Sequence, residues 1–371
     1  MAERTASLTC EQLPQGAAFH IGKVYPNGNE ADSHMGDLQD HHHLTRVWLI
    51  NHGFYNSRPH IDTYFTVGPT IDTPPHILEA IQKASSLKAG LEQFSKSNEF
   101  PSEVSLRMSR LQEEADAQTE GMSLEVKTAA RLAKFDGVQV ASDHDGTWSQ
   151  LDGRIEIGHT GISYRPEENY LPDLIPTSEH AEELLRTYGR EYFPEIYATT
   201  WAPYLKDPQG RYMFKQAGLH VPLRPGAKEL MDYFGDQEMK VAFVSQNFTP
   251  VLEGVVKQIG SETEVEIRAI DSDNIDTLDK SAVLHNLAKQ SPTRAIVFMG
   301  DGETDYRIEQ AYRMGIISAI FALEGDGFDK TLTEHNIPHF TFSDLHDVRV
   351  KLEEVTTLAK QIKAGNAIAS V

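Results

Sequence analysis

The chain has 371 residues, of which 39% are apolar and 24% charged, and carries a formal net charge of −21. A single hydrophobic core usually stops growing before about 250–300 residues, so two or three compact units are expected. The negative field repels the phosphate backbone that a nucleic-acid binder must neutralise, and one cysteine, Cys10, has no partner for an intramolecular disulfide, which suits a reducing compartment. The opening residues, MAERTASLTCEQLPQG, lack the apolar run of a signal peptide. No segment approaches the roughly 20 apolar residues of a membrane span, so a cytoplasmic protein with no membrane partner is expected.

Residues 1–45 mix Gly, Asn, Asp and His with few apolar positions and read as a loose tail. The run His41, His42, His43 reads as a solvated polar loop, because three adjacent positions of a regular element do not converge on one ion. Residues 46–72 hold short apolar and aromatic runs broken by Gly and Pro. Helical spacing follows in HILEAIQKASSLKAGLEQF and VSLRMSRLQEEA, so 46–134 is expected to be a mostly helical N-terminal region, without a chemical motif.

From residue 136 short β-rich runs alternate with helical stretches, the texture of a parallel α/β sheet. Strands are expected at 138–142, 240–245, 265–270, 295–299 and 316–321. The helical candidates between them are GAKELMDYFG, VLEGVVKQIG, SAVLHNLAKQ and YRIEQAYRMG, three of which end on Gly, a frequent residue just past a helix C-terminus. Residues 148–224 are too long for a simple crossover and rich in Tyr, Glu and Pro, so they read as an inserted unit; 351–371 read as a C-terminal helix or tail. The catalytic core is then 135–147 with 225–350.

In an open α/β sheet, ligands bind outside the carboxyl ends of the strands. The residues that follow the expected strands are Asp143-His144-Asp145-Gly146-Thr147, Ser245-Gln246-Asn247 and Gly300-Asp301-Gly302-Glu303-Thr304-Asp305, and Lys280 opens the helix before the fourth strand. Carboxylates crowded at one sheet edge need a cation to stay ionised. Asp143, Asp145, Asp301 and Asp305 form an all-oxygen set suited to magnesium, and no cysteine or spaced histidine pair beside them favours zinc. A carboxylate can attack phosphorus when a cationic side chain offsets the repulsion; Lys280 is that candidate, and the Ser245 hydroxyl can hold a phosphoryl oxygen. Each motif alone reads as a turn, a cap or a solvated residue; their order, strand context and spacing together carry the signal.

This set resembles the haloacid dehalogenase-like (HAD) hydrolases: an apolar strand ending in DxDGT (Asp143 to Thr147), one ending in Ser245, Lys280 at a helix start, and a strand ending in GDGxxD (Gly300 to Asp305). The resemblance covers about residues 136–347 and implies a Rossmann-like core with Asp143 as nucleophile and Asp145 as general acid, then base. It implies that Ser245 and Lys280, with Thr147 and Gln246, bind phosphate. Magnesium would be held by the Asp143 carboxylate, the Asp145 carbonyl and Asp301, with Asp305 in or just behind that shell. The second acid, Asp145, favours phosphomonoester hydrolysis. The position of the insertion is similar to the helical cap of the phosphoserine-phosphatase-like branch. Gln246-Asn247 departs from the glycines usual there, and the N-terminal region lies outside the family pattern.

The resulting expectation is a magnesium-dependent phosphatase acting on a small phosphorylated metabolite, with Arg165, Tyr170 and Arg190 of the cap as candidate specificity residues. The dense cap aromatics, Tyr197 and Trp201 among them, read first as the cap's own core. Two alternatives stand beside it: a phosphotransferase using the same aspartyl-phosphate, and a binding or regulatory protein on a retained scaffold.

Overall fold

A computed structural model of the chain describes residues 18–21, 46–55, 58–66, 75–149, 155–157, 162–164, 193–302 and 308–365. In chain order the first elements are β1 (Ala18–Ile21), β2 (Arg46–Tyr55), β3 (Arg58–Thr66), α1 (Pro75–Ser97), α2 (Glu103–Gln118), α3 (Leu124–Ala133) and β4 (Gly137–Ser142). The next stretch holds β5 (Ile155–Ile157), β6 (Ile162–Tyr164), α4 (Phe193–Thr200), α5 (Ala202–Lys206) and α6 (Pro208–Gly218). Then come α7 (Ala227–Asp236), β7 (Lys240–Phe248), α8 (Thr249–Ile259), β8 (Val265–Ile270), α9 (Lys280–Gln290), β9 (Arg294–Gly300), α10 (Ile308–Arg313), β10 (Ile317–Leu323), α11 (Gly327–Glu334), β11 (Phe340–Phe342) and α12 (Leu345–Lys363).

Six strands form one parallel sheet in the order β11-β10-β9-β4-β7-β8. Burial on both faces explains their near-continuous apolar runs: Val140, Ala141, Phe243, Val244, Ile296, Val297, Phe298 and Phe321 are buried. β4 lies between β9 and β7, so chain order reverses beside it, and the crevice at such a reversal is where α/β sheets bind ligands. The five expected strands are all in this sheet. The sixth, β11, has only three residues, Phe-Thr-Phe, too few to declare a period. Among the described residues no helix is long and apolar enough to cross a membrane.

The chain divides into two compact units. One comprises residues 90–156, 160–170 and 212–371; the other comprises 1–89, 157–159 and 171–211. Residues 90–134 therefore belong with the parallel sheet. Helix α3 packs against α12, and Lys351 Nζ lies 3.2 Å from Glu125 Oε1. Arg131 makes two hydrogen bonds to the Asp116 carboxylate, at 2.7 and 2.6 Å, and one of 2.7 Å to the Tyr312 hydroxyl. Buried Gln112 donates to the Gly315 carbonyl at 2.7 Å and to Ser318 Oγ at 3.1 Å.

In the other unit β1, β3 and β2 form a three-stranded antiparallel sheet, and α4 packs on β2. Residues 46–55 and 58–66 are strands, α1 to α3 supply the helices expected of the 46–134 region, and Ala18–Ile21 is paired where a loose tail was expected. The signal was present in RVWLINHGFY and RPHIDTYFT: both are rich in β-branched and aromatic residues, and an Asn-Ser pair separates them at hairpin spacing. Tyr197 and Trp201 are buried, with Tyr197 stacked on Phe193 at 5.7 Å, as expected of aromatics that form their own core. Gly315 shows how tightly α2 is seated. Its φ is +70°, and a Cβ there would lie 2.4 Å from Ser109 Cα. Replacing Gly315 by Ala is expected to destabilise the protein by roughly 2 kcal/mol or more, adding left-handed strain to overpacking, as read from urea unfolding.

Candidate active site

The loop after β4 begins with Asp143, whose backbone N–H donates to the Met299 carbonyl of neighbouring β9 at 2.9 Å. The next turn is locked by Trp148, fully buried. Its backbone N–H donates to the His144 carbonyl at 2.9 Å, and its indole donates to Ser142 Oγ at 2.8 Å. Ser142 in turn donates to the Asp143 carbonyl at 2.7 Å. The backbone that aims Asp143 and Asp145 is therefore fixed from both ends.

Asp143 is 6% exposed. Its Oδ2 accepts from Lys280 Nζ at 2.8 Å, and its Oδ1 accepts from the His144 backbone N–H at 2.8 Å. Lys280 is the first residue of α9, the positive end of the helix dipole, where a cation gains nothing for the helix itself. The preceding residue, Asp279, caps the helix by accepting from the Ala282 N–H at 3.1 Å.

Asp145 lies two residues on, with a side chain 24% exposed. Its Oδ1 accepts from Asn247 Nδ2 at 2.8 Å and lies 2.9 Å from His144 Nδ1; its Oδ2 lies 3.4 Å from Ser245 Oγ. Burial raises its carboxyl above the ordinary range and the nearby Asp143 charge adds to that, while His144 and Lys280 offset part of it. Ser245 and Asn247 are both fully buried at the end of β7, and the Asn247 N–H donates to Ser245 Oγ at 3.1 Å. Gln246, between them, is half-buried.

Asp301 follows β9 and accepts from Thr147 Oγ1 at 3.0 Å. It reaches the β4 loop because residue 146 is glycine: φ is +69°, and a Cβ would lie 1.8 Å from Asp301 Oδ2. Asp143, the Asp145 carbonyl and Asp301 are hard oxygen donors, two of them carboxylates, which fits a magnesium ion that keeps several waters. Among the described residues no group of three or more His, Cys, Asp or Glu side chains converges as a cation site of its own. Asp305 lies outside the described residues, as do Arg165, Tyr170, Arg190 and the run His41–His43.

The structure thus brings together Asp143, Asp145, Ser245, Lys280, Thr147 and Asp301. Sequence reasoning missed Asn247 and His144 as the holders of Asp145, and Arg224, whose Nε donates to the Gly146 carbonyl at 2.8 Å. Asn247 was visible only as a departure from the expected glycines. Arg224 lies 78 residues from its partner, and nothing in its neighbourhood of sequence signals the contact.

The residues on which the sequence resembles the HAD-like hydrolases, Asp143, Asp145, Ser245, Lys280 and Asp301, lie at the carboxyl edge of this parallel sheet. No family model matches the chain, and no curated protein matches it. Among solved structures, the chain is similar to a probable phosphoserine phosphatase from Vibrio cholerae in unliganded form, at 19% identity over 62% of this chain and 68% of that one, with a TM-score of 0.42. It is similar to cytosolic 5'-nucleotidase IIIB bound to cytidine, at 16% identity over 65% of this chain and 90% of that one, TM-score 0.41. A third similarity is to a HAD family hydrolase from Salmonella enterica serovar Typhi, at 11% identity over 89% and 94% of the two chains, TM-score 0.36. These overlaps are weak, and what the site can do follows from its own residues.

Replacing Gly146 by Ala should push Asp301 away from the β4 loop. Since a misplacement of about 1 Å can cost on the order of a hundredfold in rate, any turnover supported by this site should fall by about that factor while circular dichroism keeps the wild-type spectrum.

Proposed function

We propose that the chain is a HAD-like phosphatase that hydrolyses a small phosphomonoester through an aspartyl-phosphate on Asp143, with magnesium as its cofactor. The observation that carries the reading is the buried 2.8 Å pair between Lys280 Nζ and Asp143 Oδ2 at the carboxyl edge of the sheet. A lysine brought out of water onto a carboxylate serves a site where further negative charge must be accommodated, as when a phosphate dianion approaches an anionic nucleophile.

In the first step an Asp143 carboxylate oxygen forms a bond to phosphorus as the bond to the ester oxygen breaks. Asp145, kept protonated more readily by burial, gives its proton to that departing oxygen, so an alcohol leaves. In the second step the Asp145 carboxylate takes a proton from water, whose oxygen attacks phosphorus. The bond to Asp143 breaks, inorganic phosphate leaves, and the proton remains on Asp145 for the next turnover. Lys280 and the Ser245 hydroxyl neutralise and orient the phosphoryl oxygens, and Asn247 and His144 hold the Asp145 carboxyl in line. Asp143, the Asp145 carbonyl and Asp301 would hold magnesium, which when bound supplies charge neutralisation at the phosphoryl group; Asp305 stays an expectation from the sequence resemblance. A small phosphorylated metabolite as substrate and a cytoplasmic setting belong to the same proposal.

Phosphate release from a panel of phosphomonoesters tests the reading. Wild-type protein with magnesium should release phosphate and stop in excess chelator. Asp143→Asn should retain less than about one per cent of the rate, because an amide is a poor nucleophile yet its oxygen still accepts from Lys280 and preserves the fold. Activity of Asp143→Asn near the wild-type level would refute the assignment of the nucleophile.

Asp145→Asn separates the leaving groups. Hydrolysis of alkyl phosphates should fall by about a hundredfold or more, since an alkoxide needs the proton, while bond cleavage in an aryl phosphate, read as the burst of phenol in rapid mixing, should fall far less.

A further inference from the structure

The end of α1 and the residues that lead into α2 were expected to carry no chemistry, yet their polar groups converge on α9, the helix that begins with Lys280. Ser95 Oγ donates to Asp279 Oδ2 at 2.8 Å. The other oxygen of the same carboxylate, Oδ1, accepts from the Ala282 N–H at 3.1 Å and Ser281 Oγ at 2.7 Å. The cap residue beside Lys280 is therefore oriented from two sides.

One turn further along, His285 is fully buried and stacked on Phe100, with ring centroids 4.6 Å apart and planes inclined at 14°. Its Nδ1 lies 2.6 Å from the Asn98 carbonyl, which can only accept, so Nδ1 carries the hydrogen. Burial lowers the pKa of this histidine, favouring the neutral ring, whose Nε2 then accepts from the Ser102 hydroxyl. Lys289 Nζ donates to the Ser97 carbonyl, and Asn286 Nδ2 lies 3.4 Å from Asn98 Oδ1. Few of these contacts are what a helix needs for its own stability: α9 already has its cap, and four separate side chains along it reach the same short segment.

We propose that residues 95–105 act as a positioning clamp that fixes the start of α9, and so the reach of Lys280 to Asp143, with Ser95 bound to Asp279 as its critical contact. The proposal rests on the reading of Lys280 as the cation that holds the phosphoryl group. Lys280 is 4% exposed and meets Asp143 across only 2.8 Å, so a small shift of the helix start changes the alignment of the reacting atoms. Ser95 and His285 touch no reacting atom and act through Asp279 and the helix.

The test uses the full chain as wild type, Ser95→Ala and Ser95→Thr. Two quantities are measured: kcat and KM on an aryl phosphate with magnesium, and hydrogen exchange of the backbone amides at the start of α9, which needs no activity. Loss of one hydrogen bond of ordinary strength corresponds to about three- to tenfold. Ser95→Ala is expected to lower kcat by that factor with KM nearly unchanged, and to speed exchange at residues 281–284 while the core amides and the unfolding midpoint stay as in wild type. Ser95→Thr, which keeps the hydroxyl, should restore both. Unchanged kcat and unchanged local exchange in Ser95→Ala would overturn the clamp. So would a loss of kcat accompanied by faster exchange throughout the sheet and not restored by threonine, which marks a merely structural contact. If wild-type protein releases no phosphate from any ester, the phosphatase reading fails, and the exchange measurement still decides whether the segment holds the helix.

Discussion

Everything at the carboxyl edge of the sheet depends on the pair between Lys280 and Asp143, two charges almost wholly removed from water. Taking such ions from water costs about several kcal/mol each, and mutual attraction offsets this only where geometry is good and remaining polar groups are satisfied. The surroundings meet that condition: Asp143 Oδ1 takes a backbone N–H, and the loop that carries it is anchored to β9 and stapled by Trp148. Hydrophobic burial alone would favour apolar residues here. Under the proposed function, the pair is the cost of keeping a carboxylate ready to react, next to the cation that tempers its charge.

Around this pair the two other carboxylates are held in different ways, and the difference suits different tasks. Asp301 is brought in by the absence of a side chain at Gly146 and fixed by the Thr147 hydroxyl, an arrangement of short, stiff parts suited to an ion with strict geometry. Asp145 is held by longer side chains, Asn247 and His144, in a setting that raises its proton affinity. Two acids two residues apart therefore differ in environment, the condition under which one site could supply both a nucleophile and a proton donor, as proposed above.

The sequence made the central strands readable because burial on both faces leaves continuous apolar runs, and it made the candidate site readable because three of its four motifs lie at the ends of those strands. The Gly146 requirement sits inside DxDGT itself. What stayed hidden was non-local. Asn247 supports Asp145 from another strand, 102 positions away. Helices α2 and α3 have polar, weakly apolar sequences: Gln112 and Arg131 fix them by hydrogen bonds, and composition reads such helices as solvent-facing.

The clamp contacts also bear on how the protein is made. Ser95 and Asp279 are separated by 184 positions, and Gln112 and Ser318 by 206. At synthesis rates of roughly 5–20 residues per second, α1 and α2 leave the ribosome some ten to forty seconds before their partners exist. Strand β4 likewise emerges well before β9, beside which it lies. Closing such loops early has few compensating contacts, so this unit completes its assembly only near the end of translation.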